Sequence, residues 1–139
     1  MSTPFDNYLE NEVLSAHPVK LVCLLYRGAI ASTEHARRHL AAGDIFARGR
    51  AIAKSIEILT ELRMSLNREQ GGELAGNLGE LYDYIQHRLV QAHIEQSEAP
   101  LIEVLNLFNT LLEGWKACEQ AARPVEESEP VTTRLAMSY

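Results

Sequence analysis

A helical apolar period recurs in four stretches of this sequence, and only short breaks separate them. The four segments are 18–42, 45–66, 73–95 and 100–122, and each has room for roughly 35 Å of helix. Connections this short make consecutive helices antiparallel neighbours. We therefore predict an all-α protein, an antiparallel up-down four-helix bundle.

The breaks contain the residues that end and begin helices. Gly43 and Asp44 predict a helix stop followed at once by the N-cap of the next helix. Pro18 suits the first turn of a helix, where its missing N–H is no loss. The other two breaks are expected at Asn67–Gly72 and Gln96–Pro100.

The last three segments show the alternating spacing of three and four residues that is typical of core seams. The predicted seams are Ile52, Ser55, Leu59, Leu62 and Leu66; then Leu74, Leu78, Leu81, Ile85 and Ala92, with Arg88 in the missing position; then Leu101, Val104, Phe108, Leu111, Trp115, Cys118 and Ala122. Seams of this kind predict left-handed, bundle-like packing.

The first and fourth segments are apolar over more of their circumference than one seam requires. The first has two stripes, which are Leu21, Leu25, Gly28, Ser32 and Ala36, and nearly opposite them Val19, Cys23, Tyr26 and Ile30. The fourth adds Leu105, Leu107 and Leu112 to its seam. Two explanations stay open. Either two neighbouring helices cover both faces, or part of the apolar surface forms a groove for a partner helix.

The two ends of the chain differ from the bundle segments, so we expect one domain over 1–122 with an N-terminal arm (1–17) and an extended tail (123–139). The arm is either packed in place or a lid over the second stripe of the first helix, and its apolar residues are Phe5, Tyr8, Leu9, Val13 and Leu14. The tail has two prolines and three glutamates, which favour a loose extension. Its apolar residues Leu135, Met137 and Tyr139 are expected to occupy a groove on the same or a neighbouring molecule.

Charge and hydropathy exclude several classes of protein. A net charge of −6 argues against a nucleic-acid binder and against binding to anionic membranes. No apolar run approaches the ~18 residues of a membrane span, and the acidic N-terminus is not a signal peptide. Cys23 and Cys118 lie in apolar helical patterns and are predicted to be buried thiols of a reducing cytosol. We expect a cytoplasmic protein without membrane insertion.

The sequence offers little for chemistry. His35 and His39 lie one helical turn apart, a spacing that can hold a metal ion, but Arg37 and Arg38 between them would repel a cation. No third ligand, activated cysteine or paired carboxylate is evident. We therefore expect no metal, no cofactor and no enzymatic activity.

Four blocks of sequence together resemble the flagellin-specific export chaperones, the FliS family. The blocks are Tyr8 with Val13-Leu14-Ser15-Ala16-His17-Pro18, Leu21-Val22 and Leu25-Tyr26-Arg27-Gly28-Ala29-Ile30; Lys54-Ser55-Ile56 with Ile58 and Glu61-Leu62; Asn77-Leu78, Leu81-Tyr82-Asp83-Tyr84 and Arg88-Leu89; and Glu103-Val104, Leu111-Leu112 and Trp115. The resemblance spans about residues 5–118. The sequence departs from the family pattern at His17, Arg27 and His93.

The resemblance implies a bundle that binds the disordered C-terminal segment of flagellin, prevents its premature polymerisation and hands it to the flagellar type III export gate. It also implies that the arm bearing Tyr8 lies over part of the binding surface when no client is bound. The residues expected in the client-binding groove are Val19, Val22, Tyr26, Ile30, Tyr82, Tyr84, Leu105 and Leu112. The alternative is a structural or regulatory bundle whose extra apolar faces are buried in a homodimer or against another flagellar partner.

Overall fold

The computed structural model describes residues 18–69 and 72–121, and these form four α-helices. The helices are α1 (Pro18–Ala42), α2 (Ile45–Glu69), α3 (Gly72–Glu95) and α4 (Ala99–Ala121). Helices α1 and α3 each pack against both α2 and α4, so α1 and α3 lie on a diagonal. The predicted antiparallel all-α bundle is confirmed, and none of the described helices is long and apolar enough to cross a membrane.

Several predictions for the ends of the chain lie outside the described residues. They concern the arm residues Phe5, Tyr8, Leu9 and Val13, the seam residue Ala122, and the tail residues Leu135, Met137 and Tyr139.

The turn between α1 and α2 follows the predicted pattern. Gly43 has a φ of 75°. Its N–H donates to the Leu40 carbonyl, and the N–H of Asp44 donates to the His39 carbonyl. This pair of bonds is the Schellman motif, which favours glycine because φ is positive. The Asp44 carboxylate then accepts a hydrogen bond from the N–H of Ala47 at 3.0 Å, as an N-cap does.

The break predicted from Asn67 begins too early, because α2 continues through Glu69. Asn costs well under 1 kcal/mol in a helix relative to Ala, so a short polar stretch does not end one. Gly72, the first residue of α3, has a φ of 68°, which favours glycine at this break.

The predicted seams are right in α2 and only partly right in α3 and α4. All five α2 seam residues are buried. In α3 the buried residues are Tyr82, Ile85, Leu89 and Ala92, so Leu74, which is 48% exposed, was wrongly placed in the core. In α4 the seam is buried from Leu101 to Phe108, but Cys118 is exposed, and its prediction as a buried thiol was wrong.

The two stripes of α1 face two different helices. On one side, a Cβ at Gly28 would lie 3.3 Å from Ile58 Cδ1 of α2, and the Ser32 and Ser55 hydroxyls are 2.5 Å apart. On the other side, the ring of Tyr26 lies 6.2 Å from the ring of Phe108 in α4. Each stripe is therefore an interhelical contact, and the small residues allow α1 and α2 to approach closely.

Candidate functional site

The seam between α3 and α4 is closed at one end of the bundle and open at the other. On α3, exposure falls from 48% at Leu74 to 0% at Ile85. On α4, Phe108 is fully buried, Trp115 is partly buried and Cys118 is exposed. We call this open part of the seam the α3–α4 groove; it is lined by Leu74, Leu78, Leu81, Leu107, Leu111, Trp115 and Cys118.

The closed end of the groove is marked by a polar clamp between the two helices. Glu103 on α4 accepts hydrogen bonds from Arg88 Nε at 2.6 Å and from the Tyr84 hydroxyl at 2.6 Å, both on α3. These donors stabilise the carboxylate, so the Tyr84 hydroxyl and then the Arg88 guanidinium lower the pKa of Glu103. The clamp establishes which sides of α3 and α4 face each other.

The helical period places the groove residues in line with the clamp. Leu74, Leu81 and Arg88 are spaced by heptads, and positions one heptad apart lie within about 20° of each other on a helix. On α4, Leu107 and Leu111 follow Glu103 in steps of four residues, which keeps them on the same face. The groove residues thus continue the helical period of the core beyond the point at which α3 and α4 cover it.

A second polar contact holds α2 and α3 together at the closed end. Arg48 is almost fully buried, and its Nε donates to His93 Nδ1 at 3.0 Å while Nη2 donates to the His93 carbonyl at 3.2 Å. Because Nδ1 accepts this bond, the neutral imidazole carries its proton on Nε2. His93 was identified from sequence only as a departure from the family pattern, and no signal there predicted a buried arginine partner.

The structure divides the eight predicted groove residues into three groups by exposure. The buried side chains are those of Val22, Tyr26, Tyr82, Leu105 and Leu112; those of Val19 and Ile30 are partly buried; that of Tyr84 is exposed. Of the two explanations left open for the second stripe of α1, cover by a neighbouring helix holds for Tyr26, which is buried next to Phe108 of α4. Contact between these eight residues and a client stays a prediction, but the five buried ones line no open surface in this conformation.

Tyr26 and Tyr82 instead join the diagonal helices α1 and α3 inside the core. Their hydroxyl oxygens are 2.5 Å apart, so each buried hydroxyl has a partner. Burial, followed by the neighbouring Tyr82 hydroxyl, raises the pKa of Tyr26, and burial raises the pKa of Tyr82. Both phenols are held neutral, which suits a structural role.

No chemical centre accompanies the groove. Within 18–69 and 72–121, no three His, Cys, Asp or Glu side chains are grouped so that they could hold a metal ion. Burial raises the pKa of the Cys23 thiol from 9.0 to about 11, which makes it a poor nucleophile at neutral pH. The arrangement can bind an apolar segment.

Comparison with known proteins identifies the family of this bundle. A sequence model of the family described as flagellar protein FliS matches residues 1–122. The chain belongs to the FliS family of flagellar secretion chaperones. Membership confirms the resemblance found in the sequence, and it confirms the expectation of a non-enzymatic protein.

Individual relatives in the FliS family are similar over most of their length. The flagellar secretion chaperone FliS of Salmonella typhimurium (strain LT2) is 40% identical over 109 residues, which cover 78% of this chain and 81% of that protein. FliSB of Pseudomonas aeruginosa (strain PAO1) is 38% identical over 107 residues, 77% of this chain and 85% of that protein. FliS of Bacillus subtilis (strain 168) is 31% identical over 123 residues, 88% and 91% respectively.

The sequence predicts most of the groove residues as core seam positions, and it leaves Leu107 open between contact with a second helix and a groove for a partner helix. Leu74, Leu81, Leu111 and Trp115 all occupy predicted seam positions, and the period is the same for a sealed and an open seam. The available signal was the width of the apolar surface on α4, which exceeds the ~100° of an ordinary amphipathic helix.

Proposed function

We propose that this FliS-family chain binds the C-terminal segment of flagellin in the α3–α4 groove. Binding in the cytoplasm keeps flagellin from polymerising prematurely, and the complex is then delivered to the flagellar type III export gate. The observation that carries this proposal is the gradient of exposure along the seam from Ile85 to Leu74. Core-type leucines there are left partly accessible to a segment from another chain.

A helical client segment suits the shape and chemistry of the groove. Its lining residues carry no charge, and the two flanking helices provide a trough for apolar anchors spaced at i, i+3, i+4 and i+7. Each Leu-sized anchor contributes roughly 1.5–3 kcal/mol on burial. Ordering the client segment costs about 2–5 kcal/mol. With four anchors, the balance centres on about 5–6 kcal/mol, a Kd on the order of 100 μM, which suits a protein that must release its client.

A matched pair of substitutions tests whether the groove is the client site. Leu74 on α3 and Met64 on α2 are each 48% exposed, but only Leu74 lies in the groove. We expect Leu74→Asp to weaken binding of a flagellin C-terminal peptide at least 10-fold, because it removes one anchor and places a charge on an apolar surface. Met64→Asp should leave the affinity unchanged. Isothermal titration calorimetry measures both.

The position of Leu74 and a separate stability measurement keep this test from being confused with unfolding. Leu74 lies in the first turn of α3, where an acidic side chain interacts favourably with the helix dipole, so the fold should tolerate Asp. Thermal unfolding followed by circular dichroism checks this directly. Equal affinity of the two variants would contradict the assignment of the client to this groove.

A second candidate function is homodimerisation of the free protein. It is favoured by two exposed apolar side chains at the closed end of the bundle, Phe46 on α2 at 76% exposure and Ile94 on α3 at 70%. If Phe46 lies in a dimer interface, light scattering shows a dimer that Phe46→Asp dissociates. A dimer that ignores added flagellin peptide would favour a structural or regulatory bundle over a chaperone.

A further inference from the structure

The α3–α4 groove opens at the end of the bundle where the chain leaves α4. Cys118 and Trp115 lie within two turns of Ala121, the last residue of α4. The chain continues from there for the whole of the predicted tail. We infer that residues 135–139 of the same molecule occupy the α3–α4 groove when no client is bound. The inference rests on the proposed function only in naming flagellin as the segment that the tail excludes.

The length of the intervening chain permits this contact. Thirteen residues lie between Ala121 and Leu135, and the fourteen steps from one to the other span up to about 46–50 Å when extended. The whole of α4 is only about 35 Å long, so residues 135–139 can reach any part of the groove. A segment tethered by a short linker reaches an effective concentration on the order of millimolar, so weak contacts suffice for occupancy.

The chemistry of the tail end matches the lining of the groove. Residues 135–139 read Leu-Ala-Met-Ser-Tyr, with apolar side chains at alternate positions and no charged side chain. The side chains that line the groove are also uncharged, so docking leaves no charged side chain buried without a partner. The acidic residues Glu126, Glu127 and Glu129 lie in the intervening stretch, which does not need to enter the groove.

The tail also lies outside the part of the chain that the family model matches. That match ends at residue 122, while the groove lies within the matched region. Occupation of the groove by residues 135–139 is therefore regulation by a segment outside the matched region. The apparent affinity for a client then equals the affinity of the free groove multiplied by the fraction of molecules whose groove is free. If the tail occupies about 80–90% of grooves, the affinity falls about 5- to 10-fold.

Cys118 provides a direct readout of occupancy without any client. It is exposed at the open end of the groove, whereas Cys23 is buried and its raised pKa keeps it unreactive. Trp115, also in the groove, is the single tryptophan of the chain. The rate at which a disulfide reagent modifies Cys118, and the emission wavelength of Trp115, therefore report on the same surface.

Two full-length variants with equal added charge separate docking from a general effect of charge. The first replaces the apolar anchors, Leu135→Asp, Met137→Asp and Tyr139→Asp. The matched control replaces three nearby residues that are not anchors, Thr133→Asp, Ala136→Asp and Ser138→Asp. We expect the anchor variant to react at Cys118 about 5- to 10-fold faster than the unchanged protein, with Trp115 emission shifted to longer wavelength. The control should remain close to the unchanged protein.

The outcomes are distinct. Equal Cys118 rates and equal Trp115 emission in all three proteins would overturn the inference. Protection that grows with protein concentration would also overturn it, because the tail would then be docking on a neighbouring molecule. No flagellin is present in this assay, so its failure leaves the proposed function standing. Failure of the Leu74 and Met64 comparison likewise leaves this assay intact.

Discussion

At the scale of single residues, the buried hydroxyl pair shows how the core accommodates polar atoms. The Tyr26 and Tyr82 oxygens are 2.5 Å apart and join two helices that are not neighbours around the bundle. Removing one hydroxyl would leave the other buried without its tyrosine partner, which costs about 1–3 kcal/mol, whereas removing both is nearly neutral. The pair therefore favours one relative position of α1 and α3.

The same pair makes stability sensitive to alkaline pH. Burial raises the pKa of both phenols, so both stay protonated in the folded protein. A tyrosine in the unfolded chain ionises near pH 10. Stability is complete below that pH and falls as the pH rises above it. We expect the loss between pH 8 and 10.5 to be about 1–2 kcal/mol larger in the unchanged protein than in a Tyr26→Phe, Tyr82→Phe double variant. Urea unfolding at the two pH values measures this, and identical losses would contradict it.

A cysteine shows where residue-level prediction from sequence reaches its limit. Cys23 and Cys118 both lie in apolar helical patterns, and both were predicted to be buried. Only Cys23 is. A side chain is sealed only where a neighbouring helix extends far enough to cover it, and the period of one helix carries no information about the length of its neighbour.

At the scale of helices and turns, two glycines with equally open surroundings have opposite roles. A Cβ added at Gly43 or at Gly76 would meet nothing within 4 Å. Gly43 has a φ of 75° at the end of α1, whereas Gly76 lies inside α3. Backbone conformation alone therefore separates them.

We expect opposite stability changes when each glycine is replaced by alanine. Gly43→Ala should lower the free energy of unfolding by about 1–2 kcal/mol, because an L-residue is strained in the left-handed region. Gly76→Ala should raise it by about 0.5–1 kcal/mol, because alanine is the better helix former. Chemical denaturation measures both, and changes of the same sign would show that the assigned helix boundary is wrong.

The positions of the helices along the sequence were largely predictable, but the side of each helix that faces the core was less so. Period and turn residues place all four helices, with an error of three residues at the end of α2. In α3, Tyr82 and Leu89 belong to the core and Leu74 does not, although all three are compatible with an apolar stripe. Two overlapping stripes of similar hydrophobicity leave the rotation of a helix undetermined until its neighbours are in place.

At the scale of the whole molecule, the seam between α3 and α4 is closed at one end of the bundle and open at the other. Arg48 with His93, and Arg88 with Glu103, connect neighbouring helices at the closed end. Toward the other end, the facing side chains of α3 and α4 are increasingly exposed. This asymmetry could not be predicted from the sequence, since it depends on three-dimensional packing. It lets the chain keep a stable fold while leaving core-type leucines accessible.

The asymmetric bundle predicts how the chaperone acts on flagellin assembly. We expect an equimolar amount of the protein to suppress seeded flagellin polymerisation, because one groove accepts one C-terminal segment. The Leu74→Asp variant should require about 10-fold more protein for the same effect, since a lost anchor weakens binding by that factor or more. Met64→Asp should act like the unchanged protein. Light scattering follows the polymerisation, and equal potency of all three proteins would mean that suppression proceeds through a surface other than the α3–α4 groove.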